Sequence, residues 1–291
     1  MVARSSRTSR SAPEPIRTLK ALRQGMRACR LDGQTIGLVP TMGALHDGHL
    51  ALVRLAKKKA DRVVVSIYVN PKQFAPHEDF GRYPRDEAGD RAKLATAGAD
   101  FVWLPDTSLM YPDGHATRIV AEGAALGLET DFRPHFFGGV TTVVAKLFNQ
   151  VTPDVAIFGE KDFQQLVVIR QMVRDLDMPL SIVAAPTARE SDGLALSSRN
   201  AYLTAEERTI APALNRAIRE AARRAKAGEA PDRVSAAAAA GISAAGFASV
   251  DYVAVRDAAT LGPYIYSAGR PGRVLAAAWL GKTRLIDNVK I

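Results

Sequence analysis

The chain has 291 residues, 47% apolar and 24% charged, with a single cysteine, Cys29. That is an ordinary soluble globular balance, long enough for one large or two moderate domains. No uninterrupted apolar run approaches the roughly 18 residues of a membrane helix, and one cysteine excludes an internal disulfide or a cysteine-built metal cluster. The formal net charge is +9, yet residues 1–30 hold eight basic side chains against Glu14 alone, leaving +2 for the remainder. Charge gathered in one segment argues against nucleic-acid binding as the main function.

Residues 1–15 are rich in Ser and Arg, poor in acids and without an apolar secretory segment, and they read as a disordered basic tail. Helical spacing over 18–29 puts Leu19, Leu22 and Met26 on one side. A short apolar run at 36–39 stops at Pro40. A small-residue turn, two histidines around Gly48 and an apolar periodic run to about residue 59 follow. This is a strand, a glycine-containing loop and a helix, a junction that presents backbone N–H groups to an anion. His46 and His49 are three apart, so on a helix start they face one ligand.

Residues 63–69 form a β-branched apolar run, as for a strand buried on both faces, and Asn70-Pro71 ends it. A helix is expected over 86–97 and a strand over 101–104. Residues 111–138 are loop-rich. Apolar residues from Val140 to Val151 follow 3.6-residue spacing closely. A strand at 155–158, a helix bearing Phe163, Leu166 and Val167, and a strand at 180–185 follow. Strands alternating with helices indicate a Rossmann-like parallel sheet of the α/β class over 16–187. A smaller α+β domain is expected over 188–291. Thr204 and Glu207 form a capping box there, Pro212 should kink or split the helix it opens, and strands lie near 250–256, 273–279 and 283–287.

Three segments follow parallel strands: 46–49, 70–74 and 159–162. Ligands of open α/β sheets bind outside the strands' carboxyl ends. Neither GxGxxG nor GxxxxGK[ST] is present, so phosphate would be held by histidines, a lysine and a helix N-terminus.

The HxGH pattern at His46, Asp47, Gly48 and His49 resembles the signature of the nucleotidyltransferase superfamily. The longer set PTMGALHDGHL, VSIYVNPKQF, YPR, FGEKDFQQL and DGLALSSRNAYL closely resembles the pantothenate synthetase (pantoate–β-alanine ligase) family, from about residue 16 onward. The resemblance implies ATP-dependent condensation of pantoate with β-alanine through pantoyl adenylate, releasing AMP and pyrophosphate. His49, with His46 and Lys161, would be catalytic. ATP contacts would come from Pro40, Thr41, Met42, Gly43, Ala44, Leu45, His46, Asp47, Gly48 and His49. Further contacts would come from Gly159, Glu160, Lys161 and Asp162, and from Ala188, Leu196, Ser197, Ser198 and Arg199. Gln73 and Gln165 would hold pantoate and β-alanine, since amides offer both donor and acceptor. Mg²⁺ would arrive chiefly on the ATP phosphates, with Asp90 as its protein ligand. The resemblance further implies a cytoplasmic homodimer without nucleic-acid or membrane partners.

The chain departs from the family pattern in three places. Arg133-Pro134-His135-Phe136-Phe137 carries its histidine one place early, so His135 receives no role. Ala188 replaces the usual Val or Met, which a backbone contact would tolerate. The acidic cluster after Tyr83-Pro84-Arg85 is thinned, leaving Asp90. The competing reading is a nucleotidyltransferase that leaves the nucleotide on its product, and a third is an RNA-binding protein that uses the basic tail.

Overall fold

The structure is a computed structural model that describes residues 12–76, 78–267 and 269–291. Residues 1–11, most of the expected tail, lie outside the described residues. The remainder of that tail is not loose. Pro15–Ile16 forms β1, an edge strand paired in parallel with β4 (Phe101–Trp103). An edge tolerates proline because no partner needs its missing N–H. Arg91 fastens the approach, donating to the Pro13 carbonyl at 3.1 Å and pairing with Glu14 at 3.2 Å. Two paired residues leave no pattern in a sequence.

Six parallel strands make the first sheet: β1, β2 (Ile36–Thr41), β3 (Arg62–Ile67), β4, β5 (Val155–Gly159) and β6 (Ser181–Ala185). Their spatial order is β1-β4-β3-β2-β5-β6. The chain builds outward from β2 through β3 and β4, then returns to place β5 against the other side of β2. Strand order therefore reverses between β2 and β5, and that crevice is where such sheets take ligands. Helices cover both faces: α1 (Leu19–Leu31), α2 (Asp47–Ala56), α3 (Glu87–Ala97), α4 (Thr107–Met110), α5 (Glu129–Phe132), α6 (Phe136–Val151) and α7 (Phe163–Asp175). Of the residues on the predicted side of α1, Leu22 and Met26 are buried and Leu19 is half-buried, and Cys29 is buried with them. One face of the sheet packs mainly on α6 and α7 through Leu38, Val64 and Ala156. The other packs on α2 and α3 through Val39, Val65 and Ile157. The alternation along β2 explains why its run is apolar throughout.

The second unit is a three-stranded antiparallel sheet, β7 (Ser249–Asp257), β8 (Gly272–Leu280) and β9 (Thr283–Lys290), with α8 (Ala205–Ile210), α9 (Pro212–Lys226) and α10 (Pro231–Ala244). Thr204 and Glu207 form the expected capping box. Pro212 splits the helix and stands at the first turn of α9, where its missing N–H costs nothing. A buried ionic network joins the two units. Glu129 of α5 accepts from Arg284 and from the Tyr252 hydroxyl, each at 2.8 Å, and Asp251 holds Arg284 at 2.7 Å.

Candidate active site

A cleft of about 350 Å³ opens at the carboxyl ends of β2 and β5. The turn after β2 forms one wall. Thr41 donates its hydroxyl to the Ser66 carbonyl of β3 at 2.7 Å and accepts the Gly43 N–H at 3.3 Å. Gly43 has φ +83°, and a Cβ there would stand 3.0 Å from both Asp90 and Ile67. Asp90 lies beneath, 1% exposed, accepting the Leu45 N–H at 2.7 Å. Lys93 donates to the Leu45 carbonyl at 2.7 Å.

This placement corrects the expectation of Asp90 as a magnesium ligand. Its carboxylate is buried under the turn and engaged by backbone, and it does not line the cleft. Burial pushes its carboxyl pKa up, against the backbone N–H bonds of Leu45 and Ala44.

His46 caps α2. Its Nδ1 accepts the Gly48 N–H at 3.2 Å, and Nδ1 of His49 accepts the His46 N–H at 3.4 Å. With Nδ1 an acceptor in each ring, the neutral tautomer carries its proton on Nε2. The ring centroids are 4.1 Å apart. Burial, then the positive Lys161, lowers the His46 pKa to about 4. Burial, His46 and Lys161 lower that of His49 to about 3. At neutral pH the pair is therefore two uncharged N–H donors, with Lys161 lining the same cleft. A Cβ on Gly48 would come within 2.9 Å of the His46 ring, which gives the glycine between the histidines its steric reason.

The turn Glu160–Asp162 after β5 forms the facing wall, and Gly159, Lys161 and Asp162 line the cleft. Glu160 is turned away. Its carboxylate meets Arg273 and Lys290, each at 3.2 Å, so any contact it makes with a nucleotide is through backbone. A third wall comes from the second unit. The Leu196 N–H donates to the Ala188 carbonyl at 2.9 Å, and Ser198 donates to the Ala44 carbonyl at 3.0 Å. Arg199 is forked onto Asp79 at 2.9 and 3.1 Å.

The floor beyond is a chamber of mixed character. Gln73 and Gln165 line it with Phe136, Val143 and Val144. Asn70, 1% exposed, orients Gln73 by donating to its Oε1 at 3.1 Å and donates to the Gly139 carbonyl at 3.1 Å. The Tyr111 hydroxyl fixes the other end of Asn70 at 2.8 Å. A Cβ on Gly139 would lie 2.3 Å from the Lys72 carbonyl oxygen, so only glycine lets α6 abut this turn.

A pantoate–β-alanine ligase family model matches residues 14–290. The chain belongs to the pantoate–β-alanine ligase family. It is accordingly a ligase joining pantoate to β-alanine to give pantothenate. Pantothenate synthetases from Rhodopseudomonas palustris and Bradyrhizobium are each 57% identical to it, over 96% of this chain and 99% of theirs. Among solved structures, pantothenate synthetase from Thermus thermophilus matches with a TM-score of 0.87 at 45% identity, over 95% of this chain and 98% of that one. The ligase from Francisella tularensis, described as complexed with β,γ ATP and β-alanine, matches with a TM-score of 0.80 at 33% identity, over 96% and 97%.

Of the residues expected in the ligase site, Pro40, Thr41, Met42, His46, Gly48, His49, Ala188, Leu196, Ser197, Ser198, Arg199, Gln73 and Gln165 line one cleft with the 159–162 turn. Gly43 and Leu45 are buried inside the loop, and Asp47 points to solvent on the first turn of α2. Sequence reasoning placed 70–74 at the ligand end of the sheet but gave Asn70 itself no role beyond half of an Asn-Pro turn signal. It also missed Asp79, whose role depends on an arginine 120 positions away.

Proposed function

We propose that the ligase works in two ATP-dependent steps through pantoyl adenylate, releasing pyrophosphate and then AMP. The observation that carries this reading is the meeting of two uncharged imidazoles and one ammonium at the switch point of the sheet, beside an amide-lined chamber. In the first step a pantoate carboxylate oxygen attacks the α-phosphorus of ATP. The bond to the bridging oxygen breaks, and pyrophosphate leaves with the electron pair. Negative charge grows on the non-bridging α-oxygens, where His46 and His49 donate from Nε2 and Lys161 supplies positive charge. In the second step the free amine of β-alanine attacks the acyl carbon, the acyl–oxygen bond breaks, and AMP departs while the amine loses a proton to solvent. The protein's work is positioning and charge stabilisation.

Pro40, Thr41, Met42 and Ala188 suit the base through backbone, and Gly159 and Asp162 suit the ribose. Ser197, Ser198 and Arg199 suit the outer phosphates once Arg199 exchanges Asp79 for them, with residues 188–291 acting as a lid. Gln73, set by Asn70, and Gln165 hold pantoate, whose methyl groups face Val143 and Val144.

The donor set fits Mg²⁺ carried on ATP. Such an ion keeps several waters and needs only one or two protein carboxylates, and Asp162 lines the cleft. When bound, Mg²⁺ would offset phosphate charge. No cluster of three metal-ligating groups forms among the described residues. A homodimer in the cytoplasm, acting on small molecules alone, belongs to the same reading. No helix among the described residues is long and apolar enough to cross a membrane.

Product analysis tests the chemistry. AMP and pyrophosphate should appear in equal amounts, and in full turnover only with both pantoate and β-alanine. Formation of ADP and phosphate overturns the reading. A stable adenylylated product favours a nucleotidyltransferase instead.

A further inference from the structure

Lys161 is borne on a turn that its own neighbours hold weakly, since Gly159 and Asp162 make no side-chain cap there. The support comes from β9. Asn288 is 3% exposed. Its Nδ2 donates to the carbonyls of both Glu160 and Lys161, each at 2.8 Å. Its Oδ1 accepts from Arg273 Nη1 at 2.7 Å. The same guanidinium lies over the Phe163 ring, 3.7 Å from its centroid, where α7 begins. Arg189 fixes the other side, forking onto Asp287 at 2.7 and 2.8 Å and donating to the Asn288 carbonyl at 3.2 Å.

We propose that Asn288 is a positioning residue that aims Lys161, and that through it the second unit sets the phosphate site. Three contacts use both ends of the carboxamide, so its orientation is fixed. The nitrogen must face the two carbonyls and the oxygen must face Arg273. An aspartate of the same shape would set oxygen against oxygen. A lysine side chain has four rotatable bonds, so its ammonium is aimed only if its backbone is held. A displacement of about 1 Å at a reacting group costs up to about a hundredfold in rate.

The inference rests on the reading that Lys161 meets the ATP phosphates, and the test separates the two. Pantoate-dependent exchange of labelled pyrophosphate into ATP is measured for Asn288→Ala, Asn288→Asp, Lys161→Met and the double variant Asn288→Ala/Lys161→Met, with folding followed by circular dichroism. Lys161→Met alone examines the reading, and a normal exchange rate there removes both it and the inference. With that rate lowered, Asn288→Ala and Asn288→Asp should each slow exchange about tenfold or more, and the double variant should be no slower than Lys161→Met. If Asn288→Ala multiplies its full factor onto the lysine variant, or exchanges normally, Asn288 does not act through Lys161. If neither Asn288 variant folds, its role is structural and the inference fails. Asn288→Asp, if it alone folds, decides by the same comparison made with Asn288→Asp/Lys161→Met.

Discussion

Two turns leave the sheet side by side, from β2 and from β5, and they are held by opposite means. The first is fastened mainly from within its own domain. Thr41 ties it to β3, Asp90 and Lys93 of α3 grip Leu45, and the two histidines cap one another. The second has little local support and takes it from β8 and β9, through Asn288 and Arg273. The first takes a single bond from the second unit, Ser198 to the Ala44 carbonyl at 3.0 Å, and is otherwise held locally, whereas the second depends on the second unit for most of its support. On the proposed mechanism adenylation uses both turns, so the reactive geometry would be complete only with the second unit in place.

The sharpest way to break this contrast is His49→Ala. Removing one N–H donor aimed at developing charge should lower turnover by at least about a hundredfold. Because Thr41, Asp90 and Lys93 still hold the turn, the melting temperature should stay near that of the parent. A normal rate in the folded variant removes His49 from catalysis, and a large drop in melting temperature removes the claim that the turn is locally held.

Those two turns also mark what the amino-acid order reveals. The His46 turn was legible because the residues that cap it lie within three positions of one another, and because two histidines at a strand-to-helix junction have few structural uses. The parallel sheet was legible from β-branched runs alternating with helical spacing. The support of Lys161 was not, since Asn288 stands 127 positions away and reads as an ordinary polar residue on an alternating strand. Asp90 was misplaced for a related reason. A carboxylate near the start of a helix looks exposed, and only the packing of α3 against the turn buries it. Arg199 was expected among the ATP contacts, and in the structure its guanidinium is engaged by Asp79, a partner that local sequence does not reveal.

A smaller change sharpens the same contrast. In Gly48→Ala the new methyl meets Cε1 and Nδ1 of His46 at 2.9 Å, so the ring must rotate and give up the Gly48 N–H. A ring forced about 30° off its rotamer costs roughly 0.5–1.5 kcal/mol, so turnover should fall about tenfold or less. Its crystal structure should show His46 displaced and the 160–162 turn unmoved. Movement of both turns would mean that they are coupled rather than separately held.

The smallest effect concerns charge. His46 and His49 have pKa values lowered to about 4 and about 3, from an ordinary 6.5, by burial first and then by Lys161 for His46 and by His46 for His49. In the free ligase their ring protons should therefore show no titration between pH 5 and 8 by NMR, and a midpoint near 6.5 for either would mean that the turn is wetter than its geometry. The sign for stability follows. Below pH 6.5 the unfolded chain binds protons at these positions that the folded chain refuses, so stability falls as pH drops from 6.5 toward 4. Replacing His49 removes part of that acid loss, so the pH dependence of melting should flatten over the same window. A neutral pair beside a charged lysine also separates the tasks at the phosphate. On the proposed mechanism Lys161 supplies charge, and the histidines set the direction from which hydrogen bonds reach the α-oxygens.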